Sequence, residues 1–232
     1  MKIQIYGDSI MKAVLVDEQY QYHQISSRLL ERFRQDTGAD AVNRARFGYT
    51  AARGQVVLQK DLDKGLDCDL ALLEFGGNDC DHNWIEVART PDGEHSPNTP
   101  LPKFLDTLKE MALAIQARGI QPVLMTLPPL DAEKYLNFIG RRGADPNAVL
   151  SWLGDVQMIY RWQELYSNAI AQLAARLGLP LLDVRSRFLS RRDYSTLIAR
   201  DGIHLTRPGY ELIYDAFREL VPAAARQKLS AF

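Results

Sequence analysis

The chain of 232 residues is 46% hydrophobic and 25% charged, a globular composition long enough to bury a core without disulfides or metals. Its net charge of -1 lacks the basic excess on which nucleic-acid binding draws, and the pairs Arg141-Arg142 and Arg191-Arg192 are too short to be more than solvated loop charge. No run reaches the ~20 apolar residues of a membrane span, no signal-peptide pattern opens the chain, and two cysteines (Cys68 and Cys80) make no disulfide framework, so a cytoplasmic protein with reduced thiols is expected.

Residues 2–6, with Ile3 and Ile5, are strand-like. Ile25, Leu29 and Phe33 recur at four-residue spacing on one helix face, and Gly38 stands where that helix should stop. A short strand at 41–45 follows. The nearly continuous apolar run at 70–75 fits a strand buried on both faces. Phe104, Leu108, Met111 and Ile115 mark a helix ended by Gly119, and 122–127 is another apolar strand. Leu165, Ala169, Leu173 and Leu177 give a long helix ended by Gly178, with a fifth strand at 179–184. Thr206 and Pro208 open a last helix whose buried face would be Leu212, Ala216 and Leu220.

Strands alternating with helices predict a single α/β domain over 1–232, with a parallel sheet between two helical layers. Two segments, 80–102 and 128–159, break the rhythm and read as irregular connections that shape a pocket at the carboxyl edge of the sheet. Trp84 and Trp152 would line it, whereas Trp162 reads as core on the long helix.

The chemistry lies at strand ends. Gly7-Asp8-Ser9 follows the first strand, which aims a hydroxyl and a free amide into the cleft, with Asp8 bracing the turn. A hydroxyl needs a base, and His204 suits because its ordinary pKa lies near working pH. Asp201, three residues earlier on the same loop, can turn back to orient the ring. Gly76-Gly77-Asn78-Asp79 ends the central strand, where the Asn78 amide can donate to an oxyanion. Gly48 lies beyond the second strand. Each block alone is weak, but strand ends of a parallel sheet share one edge, so these residues converge. His82 and His95 are rival bases without an evident orienting carboxylate. Asp79, Asp81 and His82 would suggest a metal site, although a hydrated loop is the plainer expectation.

The order of Ser9, Gly48, Asn78 and His204 resembles the four blocks of the GDSL esterase and lipase family, or SGNH hydrolases. The likeness spans almost the whole chain, departing at Ile10 and Ala45, where the family often has leucine and glycine. It implies a flavodoxin-like three-layer α/β/α fold and ester hydrolysis without metal or cofactor. It also implies a Ser9–His204–Asp201 triad with Ser9, Gly48 and Asn78 as the oxyanion hole. The absence of Gly-x-Ser-x-Gly disfavours an ordinary α/β-hydrolase. The expected substrate is a small soluble acyl or acetyl ester. Lysophospholipids and thioesters would use the same triad, and the rival class is a non-catalytic flavodoxin-like binding module.

Overall fold

In the computed structural model, which describes residues 1–229, the run Leu70-Ala71-Leu72-Leu73 lies at the centre and each member is at most 1% exposed. Successive side chains of a strand point to opposite faces. Leu70 and Leu72 therefore join one core, with Ile3, Ile5, Phe33 and Phe217. Ala71 and Leu73 join another, with Phe104, Met111, Tyr166 and Ile170. Neither face is solvated, which is why the run has no polar alternation.

In chain order the elements begin with β1 (Lys2–Gly7), a hairpin of β2 (Val14–Val16) and β3 (Tyr22–Gln24), α1 (Ser26–Thr37), β4 (Asp40–Asn43), α2 (Ala51–Asp63) and β5 (Leu70–Glu74). Next come α3 (Trp84–Arg89), α4 (Leu101–Gln116), β6 (Gln121–Met125), α5 (Ala132–Arg141), α6 (Pro146–Leu153) and α7 (Gln157–Leu177). The chain closes with β7 (Leu181–Leu182), α8 (Arg185–Leu189), α9 (Tyr194–Leu197) and α10 (Arg207–Leu229). The main sheet has the order β4-β1-β5-β6-β7, and every neighbouring pair is parallel. This is the flavodoxin-like order, with α1 and α10 covering one face and α2, α4 and α7 the other. Among the described residues no helix is long and apolar enough to cross a membrane.

The five expected strands and four expected helices are present, with Gly38 and Gly178 as left-handed caps. The expected fifth strand shrinks to two residues. Leu165 is 49% exposed, whereas Ala169 and Leu173 are buried as expected, together with Gln163, Tyr166 and Ile170. In α10 the deeply buried residues are Tyr210, Ile213, Ala216 and Phe217, with Leu212 and Leu220 only partly covered. A strict four-residue step overshoots the helical turn by ~40° each time, so such a stripe walks off the face it starts on. Thr206 precedes α10, but its hydroxyl donates to the Thr196 carbonyl rather than capping the helix.

The segments expected to be irregular hold α3, α5 and α6. Asn83 caps α3 by accepting from Glu86 N–H, Asp131 caps α5 through Lys134 N–H, and Asp145 caps α6 through Asn147 N–H with Pro146 in its first turn. Together they form a third apolar cluster, with Trp84, Tyr135, Ile139 and Val149 buried, beside the carboxyl ends of the strands.

Candidate active site

Ser9 stands two residues beyond β1, and His204 lies in the loop before α10. The parallel sheet brings them together: Ser9 Oγ lies 2.9 Å from His204 Nε2. On the other side of the ring, His204 Nδ1 lies 2.6 Å from Asp201 Oδ2. Asp201 is fully buried, and its second oxygen accepts from the His204 N–H at 3.0 Å and the Ile203 N–H at 3.2 Å. The loop is held by Ala199 N–H donating to the His204 carbonyl at 2.8 Å and Gly202 N–H donating to the Ala199 carbonyl at 3.0 Å. Gly202 has φ +81°, and a Cβ there would collide with the backbone of Asp131 and Tyr135. The imidazole is flanked by the rings of Tyr22, at 5.1 Å between centroids, and Phe47, stacked at 5.7 Å.

Asp8 braces the turn that carries Ser9, its Oδ1 accepting from Ile10 N–H at 2.8 Å. Its Oδ2 accepts from Asn78 Nδ2 at 2.7 Å, and Asn78 Nδ2 also donates to the Tyr49 carbonyl at 3.2 Å. Both hydrogens of the Asn78 amide therefore have acceptors within the protein, which the sequence did not reveal. Among the described residues, no backbone carbonyl takes the N–H of Ser9 or of Gly48. Gly48, at φ +70°, sits between Phe47, which stacks on His204, and Tyr49, which receives Asn78.

Two openings meet at Ser9 and His204. One is an enclosed cavity of about 70 Å³, walled by Leu127, Leu130, Ile159, Trp162 and His82. The other is an open cleft of about 420 Å³, edged by Tyr22, Phe47, Phe138 and Arg142. Both segments expected to shape a pocket contribute walls, and Trp162 faces the cavity instead of packing as core. Trp152 lies behind it, against His82 and Trp162.

The rival histidines are placed for other ends. His95 is half-buried against the ring of Trp152, with Nε2 2.9 Å from the Thr90 carbonyl. His82 is buried among the rings of Trp84, Trp152 and Trp162, and its Nδ1 has no partner. Burial pulls its pKa down to about 4, so it is neutral near pH 7. Asp81 accepts from Tyr135 Oη and Trp84 Nε1, each at 2.7 Å, while Asp79 accepts from Ala51 N–H at the start of α2. Burial raises both carboxyls to about 6. Among the described residues no three metal-ligating side chains gather.

The family model for the GDSL-like lipase/acylhydrolase family matches residues 5–212. The chain is 27% identical over 190 residues to the GDSL esterase/lipase CPRD49 of Arabidopsis thaliana, covering 80% of this chain and 68% of that protein. It is 21% identical over 228 residues to the isoamyl acetate-hydrolyzing esterase of Saccharomyces cerevisiae, covering 95% and 85%. A solved structure of an acetylxylan esterase from Geobacillus stearothermophilus superposes with a TM-score of 0.62 at 17% identity, covering 93% of this chain and 91% of that one. With the family model spanning nearly its whole length, the chain belongs to the GDSL-like lipase/acylhydrolase family and is a carboxylic ester hydrolase of that type.

Proposed function

We propose that the protein hydrolyses short-chain acyl esters through an acyl-enzyme on Ser9. The observation that carries this is the unbroken line from Ser9 Oγ through His204 to buried Asp201, at 2.9 and 2.6 Å. His204 accepts the Ser9 proton as Oγ attacks the ester carbonyl, and the Oγ–C bond forms as the carbonyl π pair moves to oxygen. Asp201 holds the ring in the tautomer that leaves Nε2 free and stabilises the imidazolium that forms. The N–H groups of Ser9 and Gly48 meet the oxyanion. Asn78 joins them by releasing its longer bond to Tyr49, while Asp8 keeps the amide in place. His204 then protonates the departing alcohol, and water repeats the sequence on the acyl-enzyme.

The alcohol must leave while the acyl group is still attached, so the open cleft is its path and the enclosed cavity holds the acyl chain. About 70 Å³ is about half of the ~150 Å³ in which an apolar cavity takes up benzene, which is room for two to four heavy atoms. The isoamyl acetate named for the yeast relative carries an acyl group of that size.

A panel of p-nitrophenyl esters from two to twelve acyl carbons tests this on the parent and on Ser9→Ala. The expected result is highest kcat/KM at two to four carbons in the parent, and loss of turnover in the variant without loss of thermal stability. Retained turnover in Ser9→Ala, or a preference for the longest chains, would overturn the proposal.

A further inference from the structure

Glu74 ends β5 with a carboxyl group that is fully buried, and the reaction above gives it nothing to do. Its Oε2 accepts from Asp8 N–H at 3.2 Å, and its Oε1 receives no hydrogen bond. A buried carboxylate oxygen left in that state is costly, whereas a carboxylic acid needs only an acceptor for its proton. The Asp8 carboxylate is the acceptor at hand, since the Asp8 backbone N–H already meets Glu74 Oε2 and the Asp8 charge acts on the Glu74 carboxyl. Asp8 is already the ionised partner in form, since it accepts Ile10 N–H on one oxygen and the Asn78 amide on the other. Two buried carboxyls this close do not both ionise. The approach is also built in at Gly7, where a Cβ would press on Glu74 Oε2 at 2.7 Å and on the Glu74 carbonyl at 2.9 Å.

We infer that Glu74 is a positioning residue for ester cleavage: protonated, it donates to Asp8, and Asp8 in turn aims the Asn78 amide and the turn that carries Ser9. The inference rests on the serine mechanism above. The charged groups facing Glu74 are Asp8, from the end of β1, and Asp79, from the turn after β5; His204 lies beyond Asp8. Burial and the Asp8 charge hold Glu74 well above the usual carboxyl range. Losing its proton on the alkaline side sets two anions against each other and loosens Asn78. Cys80, which shares the cavity wall, is also pushed up by burial, so a comparison at position 74 alone is needed to assign an alkaline change.

The experiment measures kcat and KM for a short alkyl acetate by pH-stat across the range where the protein stays folded, in the parent, Glu74→Gln, Glu74→Leu and Ser9→Ala. An amide at 74 can still donate to Asp8 and accept from its N–H, but cannot ionise. Glu74→Gln should therefore keep most of the kcat that Glu74→Leu loses, and it should lack the alkaline fall in kcat that the parent shows. Glu74→Leu should lose about tenfold or more in kcat at every pH, with KM within about twofold, as expected when support for an oxyanion donor is removed. Superimposable pH profiles for the parent and Glu74→Gln, or parental kcat in Glu74→Leu, would overturn the inference while Ser9→Ala stays inactive. Turnover by Ser9→Ala would instead overturn the serine mechanism itself.

Discussion

Asp201 uses its two oxygens for two different ends. Oδ2 meets the imidazole at 2.6 Å, and Oδ1 ties down the N–H groups of Ile203 and His204. Asparagine is nearly the same shape, but its amide can present a donor where Nδ1 needs an acceptor, which favours the wrong tautomer. We predict that Asp201→Asn lowers kcat by about 10⁴-fold while the protein stays folded, as asparagine does in other triads; steady-state kinetics beside a thermal melt would check this. A loss of less than about tenfold would remove Asp201 from the proposed triad. Ser9, Asp201 and His204 were legible because each sits where a strand end or a pre-helix loop delivers it to a shared edge. Glu74 was not legible, because a glutamate at the end of an apolar strand looks like the strand meeting solvent. Only the packing of β1 against β5 shows it fully buried against Asp8.

At the scale of elements, the wall of the site depends on how α5 meets the histidine loop. Asp131, the cap of α5, donates its N–H to the Gly202 carbonyl at 2.8 Å, and Lys134 reaches the carbonyls of Ser195 and Ile198 at 2.8 and 3.2 Å. Gly202 allows this contact both by its positive φ and by its missing Cβ. Gly202→Ala should cost about 1–3 kcal/mol from the backbone strain alone. It should also lower kcat, because the loop that moves carries both Asp201 and His204. Denaturant melts and kinetics on the same preparation would measure the two together, and a variant with parental values of both would show that the loop adapts. The α5 and α6 helices were hidden in sequence by the length of their segment and by its three prolines and three glycines. Local signals were nonetheless present: Asp131 before Ala132 and Glu133, and Asp145 immediately before Pro146, are cap-and-first-turn patterns. The α2 helix gave a poorer signal, since its cap is not local: Asp79, far along the chain, accepts the Ala51 N–H.

For the whole molecule, three buried groups near the site give stability a pH dependence of mixed sign. His82 is held at about 4, below its unfolded value near 6.5. Its unfolded form takes up a proton first on acidification, so its contribution is complete above about 6.5 and is lost as pH falls toward 4. Asp79 and Asp81, raised to about 6, act the other way: their contribution is complete below about 4 and lost as pH rises through 6. The opposing terms flatten the parent's curve between about pH 4 and 6.5, and removing the histidine unmasks the carboxyls. We predict that His82→Phe, which keeps an aromatic ring among Trp84, Trp152 and Trp162, gains thermal stability relative to the parent as pH falls from 7 to 4.5. Melts at matched ionic strength would test it, and a difference that stays constant or shrinks on acidification would contradict a neutral, buried His82. The overall topology was readable because the central strands are rich in apolar residues and α1, α4, α7 and α10 each carry an apolar stripe. The β2–β3 hairpin was not readable, since its strands are three residues each and Tyr22 earns its place only by lying against His204.

The proposed nucleophile and its base stand 195 positions apart, joined by one 2.9 Å contact. During synthesis, then, a growing chain presents the Ser9 hydroxyl 195 positions before its proposed proton acceptor. On the proposed mechanism, a fragment that stops short of residue 201 holds an ordinary serine, and hydrolytic power switches on when the loop carrying His204 folds back onto the sheet, not gradually as the polypeptide lengthens.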